Sequence, residues 1–331
     1  MSSREEGLRI LIEIDSRQPE LAPLQDLPWE TLYDPKKGDF LTLDRKTPVV
    51  RCLRVPRKRQ TAPLQEKRLR ILALSASPFG CPPLDLERER RNLKEAWKGP
   101  IVPLQKTDRE EIHQIFRKAP VHVLHFMGHG SFDRATGEGM LLLEGKNGVA
   151  LPVSGRALAE DLKRFPDLRL VVLNACQTAC SVGEAGPDPF AGVATALVMG
   201  GAPAVIAMRQ PVTDAAAVAF SKALYERLAA GDPVEAALTE ARLAIHRLDE
   251  KSGEWATPVL FLRPTREGLP TWLRKLLAAS LAAAVILAIL ALYFGLSWER
   301  ERRSTEVNRL INEGTGLLED GRAEEARSTF L

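Results

Sequence analysis

Residues 124–132, LHFMGHGSF, decide the fold. A short apolar run, interrupted by His125, stops at glycine, histidine, glycine. Residues 170–179, LVVLNACQTA, repeat the pattern, with an apolar run that stops at a cysteine. Near-continuous apolar strands, as opposed to alternating ones, belong to a mainly parallel sheet covered on both faces. In such sheets the working residues lie beyond the carboxyl ends of strands, which is where His129 and Cys176 fall.

Outward from these two runs, strand and helix alternate. LRILALSAS (69–77), IVPLQ (101–105), APAVIAMRQPV (202–212) and TPVLFLR (257–263) read as further strands. Charged-faced or amphipathic stretches between them read as helices: PLDLERERRNLKEAW, TDREEIHQIFRKA with its Thr/Asp cap, and SGRALAEDLKRF. So do DPFAGVATALVMGG, DAAAVAFSKALYERLAAG and DPVEAALTEARLAIHRL. MLLLEG and VALPVS suggest a hairpin. Before this core, residues 8–60 carry β signals: LRILIEID, a turn from Asp34-Pro35 to Gly38, and TPVVRCLRV. The fold class is α/β, with helices on both faces of the sheet.

Composition narrows the function. The chain has 331 residues, is 45% hydrophobic and has a net charge of only +3, with acids and bases interspersed. No nucleic-acid footprint follows, and the basic run RVPRKRQ at 54–60 reads as a solvated, proline-bearing linker. Neither GxGxxG nor GxxxxGK[ST] follows a strand, which counts against a nucleotide-binding domain. The four cysteines, at 52, 81, 176 and 180, have no CxxC or zinc-type spacing, and no secretory signal opens the chain. Reduced thiols, a cytoplasmic catalytic region and no metal or organic cofactor are expected.

A thiol becomes a good nucleophile when a neighbouring imidazole takes its proton, and backbone N–H groups can hold the developing oxyanion. Glycine lets the backbone approach a substrate and adopt positive φ. His129 as base, Cys176 as nucleophile, and the N–H groups of Gly130 and Cys176 as oxyanion donors form one candidate set. His122 and His125 alternate with apolar residues and read as structural. Cys180 reads as a loop residue. Spacing alone leaves the alternative of a lone surface histidine and a buried small thiol open.

HFMGHG and VVLNACQT together resemble the core of the CHAT family, caspase-like cysteine peptidase domains of clan CD often joined to tetratricopeptide repeats. LPWETLYDPKKGDFLTLDRKTPVVR resembles the segment that precedes that core, and the resemblance covers roughly residues 8–264. It implies a caspase-like cysteine endopeptidase with His129 as general base and Cys176 as nucleophile, and with Gly130 in the oxyanion hole. The residues around Met208, Arg209 and Asp214 would shape the substrate groove. It also implies a protein or peptide substrate in prokaryotic signalling or defence. Asp133, Asp188 and Asp214 are candidates to select a basic side chain before the cut; Arg209 argues the other way. The rival implication is a catalytically silent scaffold that recruits partners.

The remainder is of another kind. LLAASLAAAVILAILALYFGLSW, 276–298, is uncharged and long enough to cross a bilayer, with aromatic residues at its ends. The organisation expected is therefore a β-rich part at 1–60 and a caspase-like core at 61–266. A transmembrane helix at 274–298 then anchors the protein as single-pass. In 299–331, Leu310, Ile311, Leu317 and Leu318 are helically spaced before Gly321, which resembles the start of a tetratricopeptide repeat and a possible protein-partner site.

Overall fold

The structure is a computed structural model that describes residues 8–14, 24, 27–53, 69–105, 109–145, 147–174, 189–210, 212–263 and parts of 302–328. It divides into two units, Met1–Arg266 and Glu267–Leu331.

In the first unit the strands are β1 (Ile10–Ile14), β2 (Tyr33–Asp34), β3 (Asp39–Phe40), β4 (Val49–Leu53), β5 (Ile71–Ser75), β6 (Ile101–Gln105) and β7 (Val123–Met127). They continue with β8 (His129–Asp133), β9 (Glu138–Glu144), β10 (Ala150–Ser154), β11 (Leu170–Asn174), β12 (Ala204–Met208) and β13 (Pro258–Leu262). The helices are α1 (Leu86–Ala96), α2 (Arg109–Lys118), α3 (Gly155–Leu162), α4 (Pro189–Gly200), α5 (Asp214–Ala229) and α6 (Val234–His246).

Eight strands form the main sheet, in the order β1-β4-β13-β12-β11-β7-β5-β6. All neighbours are parallel except β12 and β13. The apolar runs explain this: β5, β7, β11 and β12 are buried along their whole length. Alternate residues feed two cores. Leu72, Leu74, Leu124, Phe126, Val171 and Leu173 pack with α2, α3 and α4. Ile71, Ala73, Val123, Met127, Leu170 and Val172 pack with α1, α5 and α6 on the other face.

A three-stranded antiparallel sheet, β10-β9-β8, starts immediately after β7. His129 therefore opens a strand, opposite Leu142, where the sequence suggested only a strand end. The N-terminal strands β1 and β4 join the main sheet beside β13, so residues on either side of position 60 share one sheet. A buried ion pair fixes the segment before β4. Arg51 binds the Glu30 carboxylate through Nη2 at 2.6 Å and Nε at 3.0 Å, and also donates to the Leu27 carbonyl.

Two expectations are corrected. Among the described residues no helix is long and apolar enough to cross a membrane, and the segment proposed to do so, 274–298, lies outside them. Among the described residues the α/β architecture thus carries no membrane-spanning helix, and the single-pass membrane assignment is withdrawn. Reduced thiols throughout are also not observed: Cys52 is free and buried, but Cys81 is disulfide-bonded. The linker proposed at 54–60 lies outside the described residues.

In the second unit the described residues are largely helical, among them 305–313. Arg309 pairs with Glu306 at 3.0 Å along that stretch.

Candidate active site

Strand register brings the two quoted runs together. Asn174, the last residue of β11, pairs with Met127, the last residue of β7. His129 lies two residues beyond Met127 in the chain, and Cys176 two residues beyond Asn174. Cys176, like Cys180 and Asp188, lies outside the described residues.

His129 is fully buried. Its Nε2 lies 2.9 Å from the carbonyl oxygen of Pro82, in the loop after β5. A carbonyl only accepts, so this contact assigns the proton to Nε2 and makes Nδ1 the basic nitrogen. Burial lowers the imidazole pKa from its ordinary value, and the bond to Pro82 opposes this in part. A buried, neutral, orientated imidazole can accept a proton from a thiol.

The glycines act differently from expectation. Neither Gly128 nor Gly130 has a positive φ. Gly128 is needed for space: a Cβ there would sit 2.5 Å from Cζ of Phe126. Gly130 is buried opposite Leu141 in the small sheet.

The proposed groove residues separate. Met208 is 1% exposed and belongs to the core between the sheet and α1, α5 and α6. Arg209 donates through Nη1 to the Leu27 carbonyl at 3.3 Å. Asp214, in the first turn of α5, lines a cavity together with Gly128 and Asn174. Asp133 is held in the β8–β9 turn, where its carboxylate accepts from Thr136 Oγ1 and Ala135 N. These bonds keep its pKa below the ordinary carboxylate value.

One network is not evident from spacing. Asn174 Nδ2 donates to Glu89 of α1, and lies 3.4 Å from Ser221 Oγ of α5. Glu89 Oε1 also lies 3.3 Å from His125 Nε2, while His125 Nδ1 lies 2.6 Å from Tyr225 Oη. Full burial, and secondarily the Glu89 charge, raise the Tyr225 pKa well above 10, so the phenol keeps its proton and donates to Nδ1. His125 then donates to Glu89 through Nε2. The strand end preceding Cys176 is thus tied to two helices. Glu89 falls within LERERRNLKEAW, which reads as a solvated charged face, so only its place over the sheet reveals the role. His125, read as structural, is structural in this sense.

A family model described as CHAT domain matches residues 10–280. Comparison with curated proteins gives no match. Among solved structures, the chain is similar to the Arg-specific cysteine proteinase gingipain R, the RgpB of Porphyromonas gingivalis. Identity is 14% and the TM-score 0.43, over 67% of this chain and 56% of that one. It is also similar to the Drosophila initiator caspase Dronc, at 12% identity and TM-score 0.39, over 62% and 88%. For a Saccharomyces cerevisiae separase–securin complex the values are 17% and 0.42, over 72% and 15%. The chain spans just over half the length of the gingipain chain.

Proposed function

The chain belongs to the CHAT domain family, and from that premise we propose that it is a cysteine endopeptidase acting through Cys176 and His129. The observation that supports this reading is the pairing of Asn174 with Met127, residues that stand two positions before Cys176 and His129 in the sequence. Cys176 Sγ attacks the peptide carbonyl carbon as its proton passes to His129 Nδ1. The N–H groups of Gly130 and Cys176 hold the oxyanion. Collapse of the tetrahedral adduct breaks the C–N bond, and His129 returns the proton to the leaving amine. Water, deprotonated by His129, then hydrolyses the thioester. The substrate is a protein or peptide, and the signalling or defence setting rests on family resemblance alone. The helical stretch 305–313 would begin a partner-binding repeat.

The test is terminus mapping. The full chain is incubated with a proteome-derived peptide pool, beside Cys176→Ala and His129→Ala. New termini that need both residues are expected. Termini that persist in Cys176→Ala would refute the mechanism. Folded protein that binds partners yet generates no termini would favour the scaffold.

A further inference from the structure

The loop after β5 carries a cysteine that the mechanism above does not use. Cys81 directly precedes Pro82, whose carbonyl oxygen lies 2.9 Å from His129 Nε2. The loop has a fixed shape of its own. Ala76 N donates to the Met127 carbonyl at 2.9 Å, Ser77 N to Glu144 Oε2 at 3.1 Å, and Phe79 N to the Gly148 carbonyl at 2.8 Å. Cys81 N donates to the Pro78 carbonyl at 3.2 Å and closes a turn, in which Gly80 has a φ of 86°. Glu144 ends β9, and β9 pairs with β8, the strand that His129 opens. The turn and the imidazole thus share one scaffold. Hydrogen bonds that do not involve its sulfur place Cys81 next to the residue that touches His129.

A second observation is that Cys81 is disulfide-bonded. Of the four cysteines, Cys52 is free and buried in β4, towards the opposite edge of the sheet from β5. Cys176 and Cys180 remain, both outside the described residues. Strand register bears on the choice. Ser75 and Asn174 both pair with Met127, so they stand two strand spacings, about 10 Å, apart. Cys81 follows the first of these residues in the chain and Cys176 the second. A disulfide needs Cα atoms about 4–7 Å apart, and two residues of extended chain beyond Asn174 are enough to close the gap. Under the peptidase reading Cys176 must also reach His129, which Pro82 already touches. Cys180 carries no such requirement.

We propose that Cys81 forms its disulfide with Cys176, and that the bond is a redox switch that keeps the peptidase inactive until a dithiol reduces it. The effect on activity rests on the peptidase reading; the bond itself can be tested without it. While bonded, Cys176 has no thiolate to offer a peptide carbonyl. Cys81 is half-buried, so a small dithiol can reach it. The dithiol attacks as a thiolate, forms a mixed disulfide and then closes its own disulfide, passing two electrons and two protons to Cys81 and Cys176. Hydrogen peroxide reverses the switch. The Cys176 thiolate attacks one peroxide oxygen and becomes a sulfenic acid, while the other oxygen leaves as water with the proton held by His129. The Cys81 thiol then displaces a second water and restores the bond.

Two measurements test this. The first maps disulfides in the full chain, purified without reductant and unfolded in N-ethylmaleimide. Fragment spectra of the unreduced digest should link Cys81 to Cys176 and place the maleimide on Cys52 and Cys180. The second follows new termini from a proteome-derived peptide pool before and after dithiothreitol. Dithiothreitol should raise the rate by at least about tenfold in the wild-type chain. Cys81→Ser should cleave without it, and gain little from it. A Cys81–Cys180 link, or cleavage that dithiothreitol leaves unchanged in the wild-type chain, would overturn the switch and leave the peptidase reading standing. A Cys81–Cys176 link with no termini in either redox state would keep the bond and remove the peptidase reading. Neither link nor termini would overturn both.

Discussion

At the scale of single residues, burial of His129 has a kinetic consequence. A general base works in its neutral form. Because burial lowers its pKa, the neutral form persists to lower pH than for an ordinary histidine. The acidic limb of kcat/KM against pH is therefore expected to have its midpoint below 6.5, the ordinary value. A midpoint above that value would indicate a resting thiolate–imidazolium pair instead. Gly128 offers a second test at this scale. Gly128→Ala places a methyl against Phe126 and should cost about 1–3 kcal/mol, the range for overpacking a tight core. The cost should shrink when Phe126→Leu is present, and a double-mutant cycle on urea midpoints reads the coupling.

At the scale of elements, helix α5 carries Asp214 to the cavity, and its start is fixed by Thr213. The Thr213 hydroxyl accepts from Ala216 N, and its own N–H and hydroxyl bind Glu254. Thr213→Ala should destabilise the protein by about 1–2 kcal/mol, whereas Thr213→Ser should not, as chemical denaturation would report. Elements with a local signal were legible in advance. The β5, β7, β11 and β12 runs are continuous and apolar, and the helices between them are capped or amphipathic, so alternation alone gave the layered sheet. β8 was not legible, because HGSFD has no strand pattern of its own and is ordered by pairing with β9. The reversed direction of β13 was equally hidden, since an apolar run says nothing about orientation. In the site, His129 stood out through its glycine flanks. Glu89 and Pro82 did not, because one acts through position on a charged helix and the other through a backbone carbonyl.

At the scale of the whole molecule, the N-terminal segment is joined to the core by charge as well as by strands. Arg51 and Glu30 are 3% and 1% exposed, and Arg242, buried nearby, donates to the Pro258 carbonyl. Burial lowers the Arg242 pKa to about 10, which still leaves it charged at neutral pH. Glu30→Ala would strand the Arg51 charge and should cost about 3–5 kcal/mol in the unfolding free energy. Replacing both partners with Met should recover most of that loss. The strand order has a further consequence, for the timing of folding on the ribosome. Arg51 of β4 pairs with Phe261 of β13, so strands synthesised first are completed by one synthesised near the end of the unit. Until residue 262 has emerged, β1 and β4 have no neighbour on that side. Nascent chains arrested before β13 should therefore leave their first 53 residues open to protease, and chains released after it should protect them together.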